Sequence, residues 1–320
     1  MLRLEISHPR IKVQEPGQYC FVRVAQLGHW QWHPFSVATT PQYAADAATA
    51  DGGESRYRFV IYVRDFGDWS SELVRQGPEL LAPSPSAAGQ GQRAVVGLDG
   101  MYGRIAVPFE TYAAVVLVAG GIGCTPMFAV LMHLAETAAS NSSSSSNSRP
   151  LKNGRAVTFV WTFRELELLP AFARELRAAR ALGWGLRLHH TTAKLQPSTA
   201  GGGDDAQNGA GERSSCYSNA HGYCVQQLPE NVPLDIAEMV RPGRPVLQDV
   251  YSKVRVPQPH QPGWGGDRGC CCGGAGDGSS STACAVLACG PMGLVQSAKQ
   301  ACTRGNAGMH FEFHSEEFEW

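Results

Sequence analysis

In residues 1–110 the apolar and polar positions alternate in short runs: RLEIS, QYCFVRVA, HPFSVAT, RYRFVIYVR and RAVVGLDG. Each run is rich in aromatic or β-branched side chains and is bounded by turn chemistry such as Pro16-Gly17, the pattern of strands. Several short strands at this spacing predict a small N-terminal antiparallel β-barrel. One segment breaks the period. DWSSELVRQG (68–77) has helical spacing, with Asp68 or Ser70 as its cap and Gly77 as its stop.

From Tyr112 the pattern changes to strand and helix in turn. AAVVLVA is too apolar to have a wet face, as expected of a parallel strand covered on both sides. PMFAVLMHLAET reads as a helix, AVTFVWTFR as a strand, LPAFARELRAARAL as a helix and LRLHHTT as a strand, before CAVLACG and GLVQSAKQACTRG close the pattern. The expectation is an α/β doubly wound parallel sheet over 111–320, following the barrel over 1–110. Low-complexity insertions near 139–150, 196–220 and 258–282 are rich in Ser and Gly and bury little apolar area, which predicts surface loops between elements.

Composition narrows the function. The formal net charge is −1, so no basic field exists to hold nucleic acid. The stretch 111–132 lacks charge, but Gly120-Gly121 and Thr125-Pro126 divide it into a strand and a helix, so the sequence predicts no transmembrane segment. The N-terminus alternates like a strand and has no apolar signal core. The 10 cysteines are scattered and are expected to be reduced thiols. A metal site built on Cys270, Cys271 and Cys272 with Cys284 and His260 lacks the usual ligand spacing, and none is expected.

Three local patterns carry chemistry. In VVLVAGGIGCTPMFAVL a buried strand delivers Gly120, Gly121 and Gly123, and Thr125 with Pro126 then reads as a helix cap and first helical residue. Such an entry offers free N–H groups to a pyrophosphate, although it is not G-x-G-x-x-G and is by itself also the mark of an ordinary tight turn. In LACGPMGLV a buried strand ends at Cys289, and Gly290-Pro291 turns the chain at a sheet edge where ligands bind in this class of fold. In IYVRDFGDWSSEL, Arg64 ends a strand, and Gly67 to Ser70 forms a second candidate phosphate cradle. HWQWHPFSVATTP (29–41) adds an aromatic strand end of no obvious structural purpose.

The order of these motifs, with PGQYCFVRV, WHPFSV, LDGMYG, GRP (243–245) and FEFHSEEFEW, resembles the dehydrogenase module of the ferric reductase and NADPH oxidase superfamily, related to ferredoxin–NADP reductases. The resemblance implies that His33, Pro34, Phe35 and Ser36 line FAD, and that Arg64, Gly67, Trp69 and Ser70 hold its pyrophosphate region. It implies that Gly120, Gly121, Gly123, Thr125 and Pro126 bind the nicotinamide dinucleotide. Arg164 falls where a 2′-phosphate would be gripped, which favours NADPH over NADH. Cys289, Gly290 and Pro291 would border the nicotinamide, and Phe318 or Trp320 would stack on the flavin. In the catalytic step, Cys289 and Phe318 are the residues it places at the rings.

The resemblance also implies a transmembrane haem domain or subunit as partner, haem itself lying outside this chain, and a position on the cytosolic face of a membrane. Trp32 is expected to pack under the flavin site and Trp30 to face that partner. WTFRELELLPAF and the final EW favour a ferric chelate as terminal acceptor, whereas SEEF fits a superoxide-forming oxidase that reduces oxygen. A reading from another class is an inactive flavoprotein fold serving as an interaction module. The intact glycines argue against it.

Overall fold

The computed structural model describes residues 1–43, 57–81, 95–143, 155–193, 217–221, 223–225, 228–256, 283–305 and 308–316. The first half is antiparallel. Strands β1 (Leu2–His8) and β4 (Tyr57–Val63) form one ladder; β3 (His33–Ser36), β2 (Tyr19–Val24) and β5 (Val96–Tyr102) form another in that order. A bridge between Val37 and Ile61 joins the two ladders into one curved barrel wall. Alternate residues point inward, as the period of a strand dictates. Cys20, Val22, Val24, Phe59, Ile61 and Val63 meet in a single apolar core.

Helix α1 (Asp68–Leu80) closes this barrel through Trp69 and Leu73. It runs past Gly77, the residue expected to end it. The position takes glycine because β1 crosses there: a Cβ on Gly77 would stand 2.7 Å from Leu2 Cδ2. Gly67, not Asp68 or Ser70, precedes the first helical residue.

The second half is a six-stranded, all-parallel sheet in the order β11-β8-β7-β6-β12-β13. Its strands are β6 (Ala114–Gly120), β7 (Ala156–Phe163), β8 (Gly185–His190), β11 (Val240–Pro242), β12 (Ala283–Cys289) and β13 (His310–Glu316). A short hairpin, β9 (Tyr217–Ser218) with β10 (Cys224–Val225), lies outside it. Every residue of β6 is buried, as its sequence demands.

Helices α2 (Cys124–Ser143) and α3 (Ala173–Ala181) cover one face, which carries Phe159, Trp161, Phe163 and Leu188. After the single-turn helix α4 (Leu234–Ala237), α5 (Leu247–Tyr251) and α6 (Met292–Arg304) cover the other, which carries Val116, Val118 and Val160. The two flanking strands β11 and β13 escape the sequence pattern: one is three residues with a proline, and the other alternates Phe with charged or polar residues. By length and composition α2, with the turn before it, is the one helix among the described residues able to cross a membrane. Its residues 124–131 are buried in the domain core.

The two halves meet through side chains. The ring of Tyr62 in β4 lies 4.7 Å from that of Phe172 with the planes tilted by 50°, Thr40 Oγ1 donates to Glu136 Oε1 at 2.8 Å, and Arg64 pairs with Glu165.

Candidate functional site

The chain enters the sheet at β6 and builds outward on both sides, so β6 and β12 are neighbours whose following helices pass to opposite faces. Such a switch point opens a crevice at the carboxyl ends of the strands. Two glycine-bearing turns border it. After β6 comes a 3₁₀ turn, Gly121–Gly123; after β12 comes Gly290-Pro291 and then α6.

Most of these glycines answer to each other and not to a ligand. A Cβ on Gly120 would lie 2.5 Å from Pro291 Cδ, one on Gly290 would lie 2.8 Å from Gly120 Cα, and one on Gly123 would lie 2.9 Å from the Cys289 carbonyl oxygen. The loops pack backbone on backbone. Gly121 differs: φ is +53° and nothing lies within 4 Å of its missing Cβ, so it faces open space. Its carbonyl accepts the Trp161 indole N–H at 3.0 Å, which anchors the turn to β7.

The helix entry differs from the expected cap. α2 already begins at Cys124, and Thr125 Oγ1 donates to the Ile122 carbonyl at 2.9 Å instead of accepting a backbone N–H. The 3₁₀ turn supplies the entry, so Thr125 lies one residue inside the helix and Pro126 falls in its first turn, buried and away from the crevice.

The barrel supplies the opposite wall. His33 of β3 stacks on Trp69 of α1 with ring centroids 4.1 Å apart and planes 24° from parallel, and Phe35 lies 6.1 Å from the same indole. Burial lowers the His33 pKa, so the ring is neutral at pH 7. Gly67 has φ 82° and ψ 172°, a region essentially closed to other residues. Ser70 Oγ accepts the Phe66 N–H at 2.9 Å and donates to the Phe66 carbonyl, clamping the turn. Arg64 lies at the rim. Its guanidinium is paired with Glu165 of the other domain, not left free for an anion.

One cavity of about 800 Å³ joins the two walls. It is lined by His33, Phe35, Ser36, Arg64, Gly67, Trp69 and Ser70 from the barrel half and by Gly120, Gly121, Gly123, Thr125, Cys289, Gly290 and Pro291 from the sheet. Pro34, the intervening position of β3, pairs with Phe21 of β2 and does not line it. Arg164 is exposed just past β7, outside the cavity. Phe318 and Trp320 lie outside the described residues, as do His260 and Cys270–Cys272. Tyr62, Phe66, Asp68, Ile122, Met292 and Val295 also line the cavity and were not singled out from sequence. For all six the signal was present, since each sits inside a quoted motif.

A second hollow of about 730 Å³ adjoins through His33, Asp68 and Trp69 and is walled by Leu27, Trp30 and Trp32. Trp32 lies under the Arg23 guanidinium at 5.2 Å, and Trp30 is 89% exposed. Among the described residues no His, Cys, Asp or Glu group has the arrangement of a metal site.

The residues present fit a flat heteroaromatic ring next to a dinucleotide. His33 Nε2 and Trp69 Nε1 are buried without a hydrogen-bond partner, directly beside the cavity. Buried polar atoms seldom stay orphaned, and a ring with polar edges would satisfy both. The cavity volume is in the range of small-molecule sites. A barrel wall of stacked aromatics facing a switch-point crevice defines a two-domain flavin and dinucleotide oxidoreductase.

Comparison with known proteins agrees. Residues 112–303 match the family model of the ferric reductase NAD binding domain, and residues 1–106 match an FAD-binding domain. The chain belongs to the ferric reductase and NADPH oxidase family, and it is an NAD(P)H oxidoreductase module that uses FAD. It is 30% identical over 143 residues to respiratory burst oxidase homolog protein C of Solanum tuberosum, covering 41% of this chain and 14% of that protein. To mouse NADPH oxidase 1 it is 29% identical over 117 residues, covering 37% of this chain and 16% of the other. The match thus spans about a seventh of these relatives. Among solved structures it is similar to the Amycolatopsis cytochrome P450 reductase GcoB (15% identity, 98% and 65% of the two chains, TM-score 0.47). A Neisseria gonorrhoeae ferredoxin NADP+ reductase with bound FAD and NADP gives 13% identity, 97% and 91% coverage, and TM-score 0.47.

Proposed function

We propose that this chain accepts reducing equivalents from NADPH and passes them singly to haem in a membrane-spanning partner domain, with oxygen as the final acceptor. The observation that carries the reading is the single cavity shared by the His33–Trp69 stack and the two switch-point turns. FAD bound there supplies the chemistry, taking two electrons as hydride and releasing them one at a time. The protein's own task is to hold two rings face to face and keep water out.

In this reading His33, Phe35 and Trp69 pack against the flavin, and the Trp69 indole donates its unused N–H to the ring or its side chain. Gly67 and Arg64 receive phosphate, with Arg64 exchanging Glu165 for the stronger anion. Gly121 leaves room for the dinucleotide phosphates beside the start of α2, while Cys289 and Gly290 shape the nicotinamide end. Arg164, which no carboxylate pairs among the described residues, favours NADPH. The exposed Trp30 lies beside the flavin end of the cavity, on the side where a haem-bearing partner at the cytosolic face of a membrane would approach.

The named relatives are oxidases, which favours oxygen over a ferric chelate. The run WTFRELELLPAF supports ferric-chelate reduction as a second reading. A visible spectrum of the purified chain tests the core. Bound flavin bands that bleach anaerobically, faster with NADPH than with NADH, are expected; failure to take up added FAD would overturn it. In membranes from cells making the protein, dye reduction abolished by superoxide dismutase supports oxygen. Ferric-chelate reduction insensitive to the dismutase supports the second reading.

A further inference from the structure

The turn after β6 keeps its carbonyls occupied by the protein and its N–H groups free. The Gly121 carbonyl accepts two donors, the Trp161 indole N–H at 3.0 Å and the Cys124 backbone N–H. The Ile122 carbonyl accepts the Thr125 hydroxyl at 2.9 Å. Both following peptide bonds are trans, and in a planar trans peptide the N–H points opposite to the C=O. The N–H groups of Ile122 and Gly123 therefore point away from Trp161 and Thr125. Both residues line the cavity, and among the described residues neither N–H has an acceptor.

The turn does not hold this sense by sterics. Gly121 has φ +53° and nothing within 4 Å of its missing Cβ, so the peptide that follows it is free to rotate. After a half turn the Gly121 carbonyl would face the crevice, and an acceptor would confront an incoming anion. Trp161 opposes that rotation. Its side chain is fully buried, and a flip would leave the indole N–H orphaned in the core.

The indole cannot follow the carbonyl. Its ring is packed by Phe163 at 4.9 Å, by Phe128 at 5.3 Å and by Phe172 at 5.8 Å, the last two edge-on at 89°. Register fixes its base as well, since Trp161 pairs with Ala119, two residues before Gly121. Any large apolar ring could fill this place in the core. The donor is the part of the side chain that packing does not need, and the turn uses it.

We propose that Trp161 is a positioning residue for the dinucleotide: its N–H locks the Gly121–Ile122 peptide so that the Ile122 and Gly123 N–H groups are set to receive the pyrophosphate. Trp161 is not among the residues lining the cavity and acts only through the turn. Donors fixed in place before the anion arrives need no reorganisation when it binds. The proposal rests on the dinucleotide reading of the crevice and gives a buried core residue a part in it.

Two probes separate this role from packing: NADP+, which carries the pyrophosphate, and adenosine 2′-monophosphate, which does not. Each is titrated calorimetrically into the FAD-loaded full chain. Trp161→Phe keeps a buried ring and removes the donor. Replacing Trp161 with benzothienylalanine, in which sulfur stands for the indole N–H, keeps the volume too. Both variants are expected to bind NADP+ about tenfold more weakly, the loss typical of one hydrogen bond to a charged group, and adenosine 2′-monophosphate as before. In anaerobic stopped flow, the rate of flavin bleaching at saturating NADPH should be unchanged. Unaltered NADP+ affinity in the benzothienylalanine variant, with FAD retained, overturns the proposal. Equal weakening of both probes also overturns it and leaves Trp161 a packing role alone. If the unaltered protein binds neither probe, the crevice reading itself fails and the proposal falls with it.

Discussion

Gly120 and Gly290 pack backbone against backbone across the switch point, with 2.8 Å between the Gly120 Cα and the place a Cβ would take on Gly290. Gly290 also has φ +150°. Replacing either with alanine forces the two turns apart. Gly290→Ala is expected to cost about 1–3 kcal/mol in urea unfolding, a typical penalty for overpacking or backbone strain, and to slow flavin reduction. Gly121→Ala meets no atom, and its φ of +53° costs about 1 kcal/mol; it should raise the KM for the dinucleotide more than it lowers stability.

The Arg64–Glu165 pair separates two roles for one arginine. Both side chains are about 40% exposed, so breaking their pair should change stability by less than about 1 kcal/mol. If Arg64 receives flavin phosphate, Arg64→Gln weakens FAD retention on gel filtration while Glu165→Gln leaves it unchanged or strengthens it. Equal loss in both variants would mean that the pair acts only as a tie between domains.

Trp69 is expected to act through both its face and its N–H. Trp69→Ala opens a cavity beneath His33 and should cost about 3–5 kcal/mol. Trp69→Phe keeps most of the stack, so its folding stability should change far less. Weakened FAD binding by fluorescence titration in this second variant, with the fold intact, is the signature of a donated N–H.

Stability should fall in mild acid. A free histidine takes up its proton near pH 6.5, whereas native His189 does so only near 4. Between these values the unfolded chain holds more protons, so lowering the pH through this window favours unfolding. His33 and His190, also lowered by burial, act in the same direction. Urea midpoints at pH 7.5 and 5 should show the drop, and His189→Asn should reduce it.

Much of the fold was legible because burial writes itself into sequence. β6 and β12 are continuous apolar runs and lie at the centre of the sheet, covered on both faces. β11 and β13 were not read because an edge strand need not be apolar on both faces, and Val240–Pro242 is too short to show a period. The turns were located correctly but explained differently: Gly77, Gly120 and Gly123 are small because another segment crosses them, which local spacing does not reveal. Thr125 has the residue type of a cap, yet the 3₁₀ turn before it starts the helix earlier.

The sequence by itself determined the order of elements, the positions of the turns and the chemistry of their residues, since these depend on local propensity and on which positions are apolar. Only the tertiary structure decided which residues meet. It paired Arg64 with Glu165, stacked His33 on Trp69, pressed Gly120 against Gly290, and set Arg241 beside His189. The physical reason is that each contact joins segments distant in the chain. Strand register and the packing of two domains bring them together, and neither is encoded in any short stretch of residues.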